Sequence, residues 1–183
     1  MENSALLIID VQNDYFAGGR MELPDSERAA GRIKLILDKF RQKNLPVIHV
    51  QHESLKEGST FFLPGTDGQK ICSLLEPHSG EKVVVKHFPN SFLKTELQSY
   101  LDKKEIKRLI ITGMMTFMCV DATTRAAKDL GYECLLVHDC TATPAVEFAG
   151  VSCTAEQAKA AISGALALIC DEVVSAAELI ELV

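Results

Sequence analysis

The sequence predicts an α/β protein, an open, doubly wound sandwich whose mostly parallel six-stranded sheet is flanked by helices. Three observations carry that expectation. Short, near-continuous runs of Val, Ile and Leu recur along the chain, as in parallel strands covered on both faces. Stretches with helical spacing of apolar residues lie between them. No internal repeat or low-complexity linker interrupts the pattern, so residues 1–183 read as a single domain.

ALLIID at 5–10 is the first strand. Ala29, Ile33, Ile36, Leu37 and Phe40 then recur at three and four and predict a helix over about 26–43. PVIHVQH at 46–52 and EKVVVKH at 81–87 are the second and third strands. Leu93, Leu97 and Leu101 mark a second helix, capped by Asn90 or Ser91. IKRLIITG at 106–113 is the fourth strand, and a third helix follows from about Met118 to Leu130, closed by Gly131. YECLLVHD at 132–139 is the fifth strand. Thr154-x-x-Gln157 is a capping box that opens a long helix to about Cys170. A brief sixth strand lies around Val173, and Ser175-x-x-Glu178 opens a last short helix. Strands and helices are expected essentially to alternate along the chain. Residues 53–68 and 140–153, rich in Gly, Pro, Ser and Thr, are long for crossover loops and are expected to line a site.

Composition excludes several functions. Hydrophobic residues make up 47% of the chain, enough to bury a core without disulfide or metal staples. The net charge of −6 leaves no basic excess for phosphates, and the lack of Trp gives single strands no stacking platform. No nucleic-acid or membrane partner is therefore expected. The start lacks the basic residues of a signal peptide, and Ala158–Ile169, which carries Lys159, is too short to span a bilayer. A cytoplasmic location follows as the expectation. The six cysteines contain no C-x-x-C pair and are expected to be reduced and mostly buried.

Sites in open α/β sheets form beyond the carboxyl ends of the strands. Those ends carry Asp10, His52, Lys86, the segment leading to Cys119, and Asp139. Any such sheet has polar strand ends, but a carboxylate, an ammonium and a thiol on one rim is a more specific combination. At the start of a helix, and with Lys86 near, Cys119 is expected to titrate below the ordinary ~8.5. Asp10 could accept its proton and later activate water. The blander alternatives are an inert buried cysteine and a rim salt bridge. The motifs G-x-G-x-x-G after the first strand, G-x-x-x-x-G-K-[ST] and G-x-S-x-G are absent.

Three blocks, LLIIDVQNDYF, VVVKHFPNSF and LIITGMMTFMCVDATTRAAKDLGY, resemble the isochorismatase-like cysteine hydrolase family, which includes nicotinamidases and N-carbamoylsarcosine amidase. VHDCTAT is similar to the family's next strand end. The resemblance implies Asp10, Lys86 and Cys119 as catalytic residues and a cis peptide between Met114 and Met115. It also implies an oxyanion hole from the backbone N–H groups of Met115 and Cys119. Tyr15 matches an aromatic position against the substrate. Tyr15, His52 and Phe61 are the expected substrate-binding residues, with Phe62 and Phe148 completing a partly apolar enclosure. The implied activity is hydrolysis of a C–N bond in a small amide or ureide through a Cys119 thioester, by a homodimer or larger homo-oligomer. The alternatives are an ether hydrolase of isochorismatase type, a thiol redox protein using Cys134 or Cys140, and a catalytically silent interaction module. Nicotinamidases carry D-x-H metal ligands at the end of the second strand, where this chain has His52-Glu53-Ser54. His49 and His52 fall on opposite faces of that strand. No zinc or iron site and no cofactor are therefore expected. His78, His87 and His138 lack ligand spacing and read as structural or exposed.

Overall fold

The computed structural model describes residues 1–183. The chain begins with β1 (Ser4–Ile9), α1 (Ser26–Gln42), β2 (Val47–His52), β3 (Lys82–Lys86) and α2 (Leu97–Lys103). The chain continues through β4 (Arg108–Met114), α3 (Asp121–Asp129), β5 (Glu133–Ala142), β6 (Val146–Phe148) and β7 (Val151–Cys153). It ends with α4 (Ala155–Leu166), β8 (Glu172–Val174) and α5 (Ala176–Leu182). The sheet has six strands in the order β3-β2-β1-β4-β5-β8, and every pairing within it is parallel.

β1 is the middle of the fold because both its faces are apolar. Leu6 and Ile8 pack under α1 and α5, whose Ile33, Ile36, Leu37, Phe40 and Leu179 are fully buried. Ala5, Leu7 and Ile9 face the other layer, with Leu97 and Leu101 of α2, Ala127 of α3 and Leu166 of α4. Burying each such Leu, Ile or Phe contributes on the order of 2 kcal/mol, so the stripe on α1 anchors that helix without help from its cap. The chain leaves β1 toward β2 on one side and returns through α2 to β4 on the other. The strand order therefore reverses between β1 and β4, where ligand crevices form in such sheets.

Several elements depart from the sequence reading. The alternation breaks between β2 and β3, where residues 53–81 hold no α-helix, only 3-10 turns at Asp67–Gln69 and Ser73–Leu75. Pro64, Gly65 and Gly68 punctuate that stretch too often for a helix. α2 begins at Leu97, later than expected, because Asn90 and Ser91 cap nothing. Asn90 Oδ1 instead accepts from Phe92 N, Ser91 bonds Thr123, and Lys94 has a φ of 57°. The third helix is entered through a π-turn, Thr116–Val120, and α4 stops at Leu166 short of Cys170. The capping boxes at Thr154 and Ser175 both form. Residues 143–153 hold a hairpin of β6 and β7, turned by Ala149 and Gly150 at φ 52° and 77°. No helix is long and apolar enough to cross a membrane.

Among the glycines, the closest backbone approach lies at the crevice itself. Gly113 has a φ of 122° and pairs with Ile9, and a Cβ there would meet the Ile9 carbonyl oxygen at 2.0 Å. Gly113→Ala combines backbone strain with a clash against a central strand. It is expected to lower unfolding free energy by about 4 kcal/mol or more, at the extreme of single substitutions. Urea denaturation checks this, and a loss below about 1 kcal/mol would show that the β1–β4 contact can relax.

Candidate active site

Asp10 follows the last residue of β1 and turns the chain with a φ of 50°. Lys86 ends β3 and pairs in register with His52, the last residue of β2. Val50, His52, Val84 and Lys86 alternate onto one face of the sheet, the face that also carries Cys119 in the turn after β4. The three strand ends and the turn converge on one ammonium. Lys86 Nζ lies 2.6 Å from Asp10 Oδ2, 3.0 Å from His52 Nδ1 and 3.2 Å from Cys119 Sγ. The Asp10 and Lys86 side chains are fully buried, and Cys119 is 5% exposed. The Met114–Met115 peptide is cis, and the Met115 N–H has no acceptor within the chain.

His52 and Cys119 line a cavity of about 430 Å³, and the fully buried Asp10 and Lys86 side chains lie behind them. Tyr15, Phe61, Phe62, Met115 and Met118 form its apolar walls. Tyr15 packs 4.7 Å from Phe62 and 6.0 Å from Phe61 between ring centres. The 53–68 loop supplies one wall, as expected, but 140–153 lies elsewhere. Phe148 sits on the β6–β7 hairpin, 86% exposed, and takes no part in the enclosure. The reason is local: the hairpin closes on itself and carries Phe148 outward. His87 does line the cavity mouth.

Two residues that the sequence reading passed over hold this arrangement. Gln12, fully buried, accepts from His52 N at 2.7 Å and donates to the carbonyls of His52 and Gln69. Its amide thus splices the end of β1 to that of β2. Asp14 accepts from Arg20 N and, at 2.6 Å, from Phe62 N, fixing the aromatic wall. Gly68 packs so closely that a Cβ would meet the Asp14 carboxylate at 2.1 Å. The signal for both was polar residues directly after an apolar strand, within LLIIDVQNDYF.

Electrostatics correct one expectation. Burial pushes the Cys119 thiol up, the Asp10 charge adds to this, and the opposing pull of Lys86 does not offset them. Burial also raises Asp10, making it a stronger base, with Lys86 pulling the other way. Burial works against the Lys86 ammonium, but Asp10 and Cys119 together keep its pKa raised. His52 is pushed down to about 3 by burial and then by Lys86, so its ring is neutral. His49 points to the opposite face, with Nε2 3.0 Å from Glu81.

An isochorismatase domain model matches residues 4–165. The chain belongs to the isochorismatase family of hydrolases. A crystal structure from Oleispira antarctica that carries an isochorismatase hydrolase description is 50% identical, with a TM-score of 0.94, covering 99% of this chain and 98% of that one. An isochorismatase-family protein of Bacillus subtilis is 42% identical over 163 residues, 89% of this chain and 91% of its own. A nicotinamidase of Escherichia coli is 27% identical, covering 76% of this chain and 83% of its own. Among isochorismatase-family members, nicotinamidases raise the question of metal. Here ligand atoms of Asp10, His52 and Cys119 lie within 4.8 Å of one another. The Lys86 ammonium already contacts all three, so a positive charge occupies the place a cation would need. The residues present do not fit a metal ion.

Cys119 labelling by iodoacetamide in the free protein is expected to rise only above the ordinary thiol range of ~8.5. Asp10→Asn removes the neighbouring negative charge and is expected to move that profile down by about one unit or more. Lys86→Met is expected to move it up and, by leaving a buried carboxylate unpaired, to cost about 3–5 kcal/mol of stability. An Asp10→Asn profile that does not move would remove Asp10 from the electrostatics of the thiol.

Proposed function

We propose that this protein is a cysteine hydrolase that cleaves the C–N bond of a small amide or ureide through a Cys119 thioester. The observation that carries the reading is the single buried ammonium in contact with both a carboxylate and the thiol that lines the cavity. In this mechanism Asp10 takes the thiol proton as sulfur attacks the carbonyl carbon. The resulting oxyanion is held by the Met115 and Cys119 backbone N–H groups. The C–N bond then breaks, and the departing nitrogen takes the proton from Asp10. Water enters, gives a proton to Asp10 and attacks the thioester; the acid leaves, and the proton returns to sulfur. Lys86 stays charged throughout and stabilises whichever of Asp10 and Cys119 is the anion. Tyr15 and Phe61 offer apolar walls to the substrate. Similarity to a nicotinamidase, a protein named for cleaving an amide, supports the same bond class here.

Release of ammonia or amine across a panel of small amides and ureides tests the proposal, with mass spectrometry to trap an acyl group on Cys119. Turnover is expected with at least one substrate, to vanish in Cys119→Ala, and to fall by about 10²–10⁴ in Asp10→Asn. It is expected to survive dialysis against a chelator, since the cluster does not fit a metal. Turnover in Cys119→Ala at the wild-type rate would overturn the thioester route.

A further inference from the structure

His52 has a hydrogen-bonding role that Lys86 dictates. An ammonium has three donors and no lone pair, so any group bonded to it accepts. Lys86 Nζ sits 3.0 Å from His52 Nδ1, so Nδ1 carries no proton. A doubly protonated ring is excluded as well, since burial and then the charges of Lys86 and His87 disfavour imidazolium. The one ring proton is therefore on Nε2. The backbone N–H and carbonyl of His52 are both held by Gln12, which fixes the base of the side chain. Phe62 packs 6.0 Å from the ring, between centres. With Nδ1 turned to the buried lysine, Nε2 lies on the far edge of the ring, and nothing in the chain accepts from it.

We infer that His52 is a fixed Nε2–H donor at the cavity wall, and that it selects substrates presenting a carbonyl or carboxylate oxygen there while refusing those that present an ammonium. The lining supports the same sign of preference. It contains Lys56 and His87 but no Asp or Glu, so nothing accessible would neutralise a cationic ligand. The word substrate rests on the hydrolase reading; the tautomer and the preference for an oxygen acceptor do not. Refusal comes from donor meeting donor. A cationic ligand would face the His52 N–H with no carboxylate in the lining to pair with it.

Nitrogen-15 NMR of histidine-labelled protein, with the His52 signals assigned by their loss in His52→Asn, tests the tautomer directly. The expected spectrum has a protonated-type Nε2 and an unprotonated-type Nδ1, unchanged from about pH 5 to about pH 8. Added acetate is expected to perturb the Nε2 signal, and methylammonium to leave it unmoved. Among substrates, His52→Gln can place an amide N–H near the Nε2 position, whereas His52→Asn cannot reach it. His52→Asn is expected to raise KM about tenfold for a carboxylate-bearing amide, the cost of one lost hydrogen bond, with kcat changing less. His52→Gln is expected to recover most of that loss. A proton on Nδ1, or a ring that titrates in this range, overturns the inference. So does a larger response to methylammonium than to acetate. If no amide is turned over at all, the hydrolase reading fails while the NMR spectrum still decides this one.

Discussion

The Lys86 ammonium ties together the carboxyl ends of β1 and β2 and the turn after β4. Its side chain is fully buried, and removing an ammonium from water costs several kcal/mol even after relaxation. Only close, well-aimed partners offset that cost, and the chain supplies them from three elements that are not neighbours in sequence. Asp10 comes from the end of β1, His52 from β2 and Cys119 from the turn after β4. β1 and β3 do not touch, because β2 lies between them. The ion pair therefore reaches across a strand, and its geometry holds only while the ends of β1, β2 and β3 stay in register.

Gln12 and Gly113 supply that register from opposite sides of Asp10. The Gln12 side chain imitates a backbone amide and continues the β1–β2 ladder where the strands themselves have stopped. Gly113 lets β4 approach Ile9 closer than any side chain would allow. Asp14 extends the same logic outward, tying the Phe61–Phe62 wall to the turn after β1 through Phe62 N. One stretch, residues 10–15, thus sets the buried anion, the splice and part of one wall of the cavity.

The legible parts of this protein are those governed by periodicity and local capping. The six strand runs, the α1 stripe and the capping boxes at Thr154 and Ser175 follow from side-chain pattern alone, and the structure places them where the pattern does. Convergence of Asp10, Lys86 and Cys119 was also legible, through strand ends and the resemblance of three blocks. The failures share a cause: they depend on what surrounds a residue. Phe148 has the composition of a pocket wall and lies on an exposed hairpin. The Asn90 and Ser91 side chains bond elsewhere, so α2 starts late. Cys119 looked activated because helix start and lysine were visible in sequence, whereas burial and the Asp10 charge, which dominate, were not.

A thiol held neutral beside a buried carboxylate is consistent with an active nucleophile once charge is counted over the whole cluster. Asp10 as carboxylate, Lys86 as ammonium, Cys119 as thiol and His52 as neutral imidazole sum to zero. Moving the proton from sulfur to Asp10 leaves the sum at zero and merely changes which anion faces the ammonium, 2.6 Å or 3.2 Å away. The step therefore creates no new net charge in a low-dielectric site, the expense that makes isolated buried ionisations unfavourable. Its cost is a difference between two anions held by one cation, and a substrate carbonyl that bonds to sulfur as the proton leaves draws the equilibrium forward. Ionising the same thiol to solvent would instead leave the cluster with a net negative charge. The buried pair thus suppresses the reactivity of Cys119 toward bulk reagents while keeping its proton within reach of a base.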